Sequence, residues 1–154
     1  MMSPRFVRKG SLSMHVLSPA LCALALMSVS GPALALDSWT ATTERGLPVL
    51  SLAQGEGSVR IVCDPDRVFG PTPNGAVLVS LPMGKAPTTV VFLAKTGEQA
   101  RLPVANGTAT QAKADAAEWT KMVEILRKGG EFAVVSSDDS LSLYTAPLPD
   151  LACE

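Results

Sequence analysis

The stretch Pro48-Val49-Leu50-Ser51-Leu52-Ala53-Gln54-Gly55-Glu56-Gly57-Ser58-Val59-Arg60-Ile61-Val62-Cys63 decides the fold class. Side chains alternate across a strand with a period of two. A strand over 48–53 therefore puts Leu50 and Leu52 on one face. Gln54-Gly55-Glu56-Gly57 has the composition of a hairpin loop. Val59, Ile61 and Cys63 then alternate with Arg60 and Val62, which predicts a second strand with 59, 61 and 63 facing a core. Cys63 ends that row, where a disulfide can be covered.

Working outward, more strands come into view. Trp39 to Glu44 is rich in strand formers and is stopped by Gly46. Ala76–Leu81 and Thr88–Ala94 are the strongest strands of the chain, joined by residues 82–87. Gln99–Val104 is weaker, and Asn106-Gly107 signals a turn before Thr108–Thr110. Glu131–Ser136 and Leu141–Thr145 flank the hairpin Ser137-Asp138-Asp139-Ser140. One helix is expected over roughly 116–128. Its stripe is Trp119, Met122, Val123 and Leu126 at i, i+3, i+4 and i+7. Asp115 and Glu118 form a capping-box-like start, and Gly129-Gly130 ends it. The pattern predicts a mainly β protein: a small antiparallel β-sandwich or open barrel of about seven strands with one helix.

The first 35 of the 154 residues read as a secretory signal peptide. Arg5, Arg8 and Lys9 make a basic start, Val16–Val29 is an apolar run of 14 residues, and Ala33-Leu34-Ala35 suits a signal peptidase. Cleavage after Ala35 leaves a single domain over 36–154, exported to the periplasm or secreted, with no membrane span. That domain carries 10 basic and 14 acidic side chains, a net charge of −4. Its charge shows no basic footprint for nucleic acid. Its lack of histidine, since His15 lies in the leader, excludes Ser-His-Asp and Cys-His catalysis and histidine metal ligation.

Cys63 and Cys153 are the two cysteines of the exported part. An even pair bound for an oxidising compartment reads as one disulfide, against the alternative of two separate buried thiols. Closing so long a loop contributes roughly 4–5 kcal/mol in the chain-entropy description. Two thiolates without histidine make only half a zinc site. Residues 64–75 carry three prolines and two glycines, which forbid regular structure. Long loops on a rigid scaffold carry binding, so Asp64, Asp66, Arg67 and Phe69 form the candidate binding loop. Asp64 and Asp66 could also act as a carboxylate pair, although Asp-Pro-Asp is ordinary turn chemistry. No motif marks a catalytic, cofactor or metal residue.

Trp39, the strand Val59-Arg60-Ile61-Val62-Cys63, and the helix, Gly-Gly and strand of Trp119–Val135 resemble small exported proteobacterial domains of the invasion-associated-locus-B kind. The resemblance implies a compact β-fold with an early tryptophan and a cysteine near the end of an early strand. The reading that follows is a non-enzymatic interaction domain. It would bind another envelope or secreted protein through loop 64–75 or a sheet edge. A carboxylate-dependent envelope hydrolase and a small-ligand carrier are the alternatives.

Overall fold

Glu44-Arg45-Gly46-Leu47 makes the first tight turn. Arg45 and Gly46 have φ of +50° and +84°, the signature of a type I′ hairpin, whose twist matches that of the strands it joins. The computed structural model describes residues 36–64, 75–84 and 86–150. The turn joins β1 (Thr40–Glu44) to β2 (Leu47–Gln54), and a second hairpin leads to β3 (Gly57–Val62). There follow β4 (Ala76–Ser80), β5 (Thr89–Ala94), β6 (Gln99–Pro103) and β7 (Thr108–Thr110). Helix α1 (Ala116–Lys128), β8 (Gly130–Val135) and β9 (Ser140–Thr145) complete the order.

The strands form two antiparallel sheets, one ordered β1-β2-β3-β4-β7 and the other β6-β5-β8-β9. Neither closes into a barrel, so of the two expected architectures the sandwich is the one observed. The described residues hold nine strands against the expected seven or so. The predicted hairpin loop narrows to Gly55-Glu56, because Gln54 and Gly57 already pair as strand residues.

The period-two rows meet in one core. Leu52, Val59, Ile61, Cys63, Val77, Val79 and Ala109 come from the five-stranded sheet. Val90, Phe92, Ala100, Leu102, Phe132, Val134, Leu141 and Leu143 come from the other. The Phe92 and Phe132 rings stack with centroids 6.4 Å apart. Val49 sits on the opposite face of β2 from Leu50 and Leu52, yet it is only 1% exposed. Arg60 on β3 reaches across β2 to Glu44 on β1. Arg60 is opposite Ser51 and Glu44 is opposite Leu47, so the arginine stem passes over Val49 and shields it.

Helix α1 occupies the bounds its stripe predicts, and Ile125 joins Trp119, Met122, Val123 and Leu126 in the core. The Asp115 carboxylate accepts from the N–H groups of Ala117 (2.9 Å) and Glu118 (3.2 Å), as an N-cap should. Glu118 does not return that bond to close a capping box. Its carboxylate instead accepts from Arg101 N–H on β6 at 2.7 Å. At the other end Leu126 C=O accepts from Gly129 N–H (3.2 Å) and Leu148 N–H (2.9 Å). The tail through Leu148 is thus fastened over the helix terminus. No helix among the described residues is long and apolar enough to cross a membrane.

Candidate interaction edge

Each sheet has two edges, and an edge strand presents unpaired N–H and C=O groups. Which residues present them follows from the pairing. Residues that exchange hydrogen bonds across an antiparallel pair alternate with residues that do not. Glu44 and Leu47 flank a two-residue turn and so form a hydrogen-bonded pair, as do Thr42 with Val49 and Thr40 with Ser51. A bond one strand away gives the same parity. Cys63 N–H donates to Pro48 C=O at 3.1 Å, so the even residues of β2 face β3 and the odd ones face β1. Ala41 and Thr43 therefore turn their backbone groups away from β2.

Two edges are managed, and a third is guarded at its ends. On β6 the outward residues are Gln99, Arg101 and Pro103. Helix α1 runs along this strand, Glu118 takes the Arg101 N–H, and Pro103 has no N–H to leave open. On β7 the outward N–H and C=O of Thr108 are both bonded to Ala105, at 3.0 and 2.9 Å. The Thr110 C=O accepts from Lys113 and Ala114. On β9 the Ser140 N–H donates to the Asp139 carboxylate at 2.7 Å. Asp37 takes the Tyr144 C=O (2.8 Å) and the Ala146 N–H (3.2 Å), which leaves the Ser140 C=O, both groups of Ser142 and the Tyr144 N–H without a partner among the described residues.

The β1 edge has none of these devices. All five of its residues are exposed. Two N–H and two C=O groups, those of Ala41 and Thr43, meet no hydrogen-bond partner among the described residues. The strand holds no lysine, proline or bulge. Its one charge, Glu44, is held by Arg60. Trp39 leads into it and is anchored by its indole N–H, which donates to Ala146 C=O at 3.2 Å.

The predicted loop is placed only at its feet. It joins the neighbouring strands β3 and β4. Cys63 is 3% exposed and Asp64 5% exposed at the first foot. At the second, Gly75 N–H donates to Gln111 Oε1 (3.0 Å) and Gly75 lies against the Trp119 ring. Asp66, Arg67, Phe69 and Cys153 lie outside the described residues, as does the leader.

The carboxylates near the two ends do ordinary work. Asp139 accepts from the Met83 N–H (2.7 Å) as well as from the Ser140 N–H, which ties the Ser137–Ser140 hairpin to the segment after β4. Glu118 is held below the ordinary carboxylate range, first by its hydrogen bond with Lys121 and then by the Arg101 N–H. Lys95 is raised by the hydrogen bond and charge of Glu131.

Sequence reasoning found β1 as a strand but missed Ala41 and Thr43 as its interaction groups. The available signal was the run Thr-Ala-Thr-Thr, which lacks the apolar alternation of a strand between two neighbours. Compared with known proteins, the chain matches no family model, no curated protein and no solved structure.

Proposed function

We propose that this is an exported, periplasmic or secreted, non-enzymatic interaction domain that takes up an extended segment of another envelope protein at the β1 edge. One observation carries the reading. Among the described residues β1 offers four backbone groups, those of Ala41 and Thr43, that meet no partner, and it lacks the helix cover, proline and carboxylate contacts that guard all or part of the other edges. A strand added there gains main-chain hydrogen bonds without disturbing an existing pair. The leader-like residues 1–35 and the resemblance to exported domains of the invasion-associated-locus-B kind support export. A Cys63–Cys153 disulfide is part of the proposal, and the burial of Cys63 at the end of β3 supports it.

The test compares the protein with its Thr43→Pro variant as bait for an envelope extract. Thr43 N–H points outward, so proline there removes an external donor and no internal bond. A saturable protein retained by the wild type and lost by the variant is the expected result. Equal retention by both, or none after crosslinking, overturns the reading.

A further inference from the structure

We infer that the same edge pairs with β1 of a second copy of this chain, antiparallel about a two-fold axis at Thr42. The inference rests on the reading of β1 as a docking edge and adds its regulation. Self-pairing uses the same four groups, so the dimer and the partner complex exclude each other.

The register is determined by the open groups. With Thr42 on the axis, Ala41 of each copy faces Thr43 of the other. Both are outward residues, and each opposed pair exchanges two hydrogen bonds. Every open N–H then meets an open C=O. Shifting by one residue sets outward groups against groups already bonded to β2. Shifting by two in one direction leaves Ala41 facing Arg45, which has left the strand at φ +50°. The opposite shift sets Thr43 against Trp39, which precedes the strand. One register satisfies both outward residues within β1.

The side chains agree with that register. Thr42 faces Thr42, and Thr40 faces Glu44. β-Branched residues suit such cross-strand positions, and no like charges oppose each other. The Glu44 carboxylate is already neutralised by Arg60 within its own copy. Both subunits keep their inner faces on the same side, because a two-fold axis normal to a sheet preserves its faces. The product is one continuous sheet of two five-stranded halves.

The experiment combines sedimentation with cysteine crosslinking of the purified protein. Wild-type mass should rise toward twice the monomer value over a concentration series, and Thr43→Pro should remain monomeric. In a non-hydrogen-bonded antiparallel pair the Cα atoms lie about 4.5 Å apart, within disulfide reach. Thr42→Cys should therefore form a covalent dimer under mild oxidation, with a disulfide between the two introduced cysteines found by peptide mapping. Thr40→Cys faces Glu44 of the other copy and should not. A wild type monomeric at every concentration overturns self-pairing. So does a dimer that Thr42→Cys fails to trap, or equal trapping by both cysteine variants. If Thr43→Pro fails to fold, the cysteine pair decides alone. The two proposals fail separately. A monomeric wild type whose captured partner is lost in Thr43→Pro removes self-pairing only. A trapped dimer whose partner binding ignores Thr43→Pro removes the docking reading only.

Discussion

Replacing Gly129 with alanine should be among the most damaging single changes outside the core. Gly129 follows α1 with φ +64° and ψ −161°, a conformation that only glycine adopts without strain. The strain alone costs about 1–3 kcal/mol. A Cβ there would also lie 2.6 Å from Pro147 N and 2.9 Å from the Ala146 carbonyl carbon. Both are backbone atoms, so no rotamer change relieves the contact and the tail itself must move. Moving it breaks the 2.9 Å bond from Leu148 N–H to Leu126 C=O and uncovers Leu148, which is 5% exposed. With those losses the cost reaches roughly 4 kcal/mol. That is a large part of a typical stability of about 5–15 kcal/mol. Gly46→Ala is the internal reference. Its φ is +84° but nothing lies within 4 Å of the added Cβ, so it bears strain only, about 1–2 kcal/mol. Urea denaturation of both variants gives the difference directly, and thermal melts should show a drop of roughly 15 °C for Gly129→Ala. If the two variants fall within about 1 kcal/mol of each other, the tail does not brace the helix end as described.

Gly75→Ala should cost about 2–3 kcal/mol, since its Cβ would lie 2.5 Å from the Trp119 ring, and the emission of Trp119 should shift with it. Gly57→Ala meets only the mobile end of Leu141 and should cost less, about 1 kcal/mol; equal costs would contradict the packing described. Asp139→Ala removes acceptors from both Ser140 and Met83 and should cost about 1–2 kcal/mol, with faster amide exchange at Met83. Glu118 has its carboxyl lowered in the folded state, so its contribution is present above the ordinary value of 4.5 and is lost as pH falls through the folded value. Melts of wild type and Glu118→Gln should therefore differ at neutral pH and converge in acid. A difference that stays constant with pH would show that the charge is not involved.

Much of the architecture was legible because strand and helix periods are local properties. The rows Val59-Ile61-Cys63 and Trp119-Met122-Val123-Leu126 mark their inner faces with no knowledge of the partner. Val49 shows where such reading stops. By parity it belongs to the outer face, yet it is buried, and Arg60 and Glu44 meet across it from strands on either side of β2. Glu118 shows the same limit. Its position three residues after Asp115 predicts a cap, but an outward N–H on β6 competes for the same carboxylate. That competitor, Arg101, is 17 residues away and becomes a neighbour only through packing.

The candidate site lies beyond local reading for a related reason. Period two tells which side chains share a face, yet says nothing about which strands lie at the edges. Edge identity is a property of strand order, and here the order sends β7 beside β4 across two intervening strands and α1 along β6. Once the order is known, the parity set by Cys63 N–H and Pro48 C=O determines the outward residues of β1. The five-residue strand could have been guarded by one lysine or proline, as Pro103 guards β6. Its threonines instead keep the backbone open and the side chains small. An unguarded edge risks unwanted association, and the proposed docking of a strand would remove that risk. Removing the Thr43 donor without touching the core separates that proposal from an edge that is merely tolerated. The wild type should lose a specific association on Thr43→Pro, whereas a merely tolerated edge would show no change in association, at unchanged stability in either case.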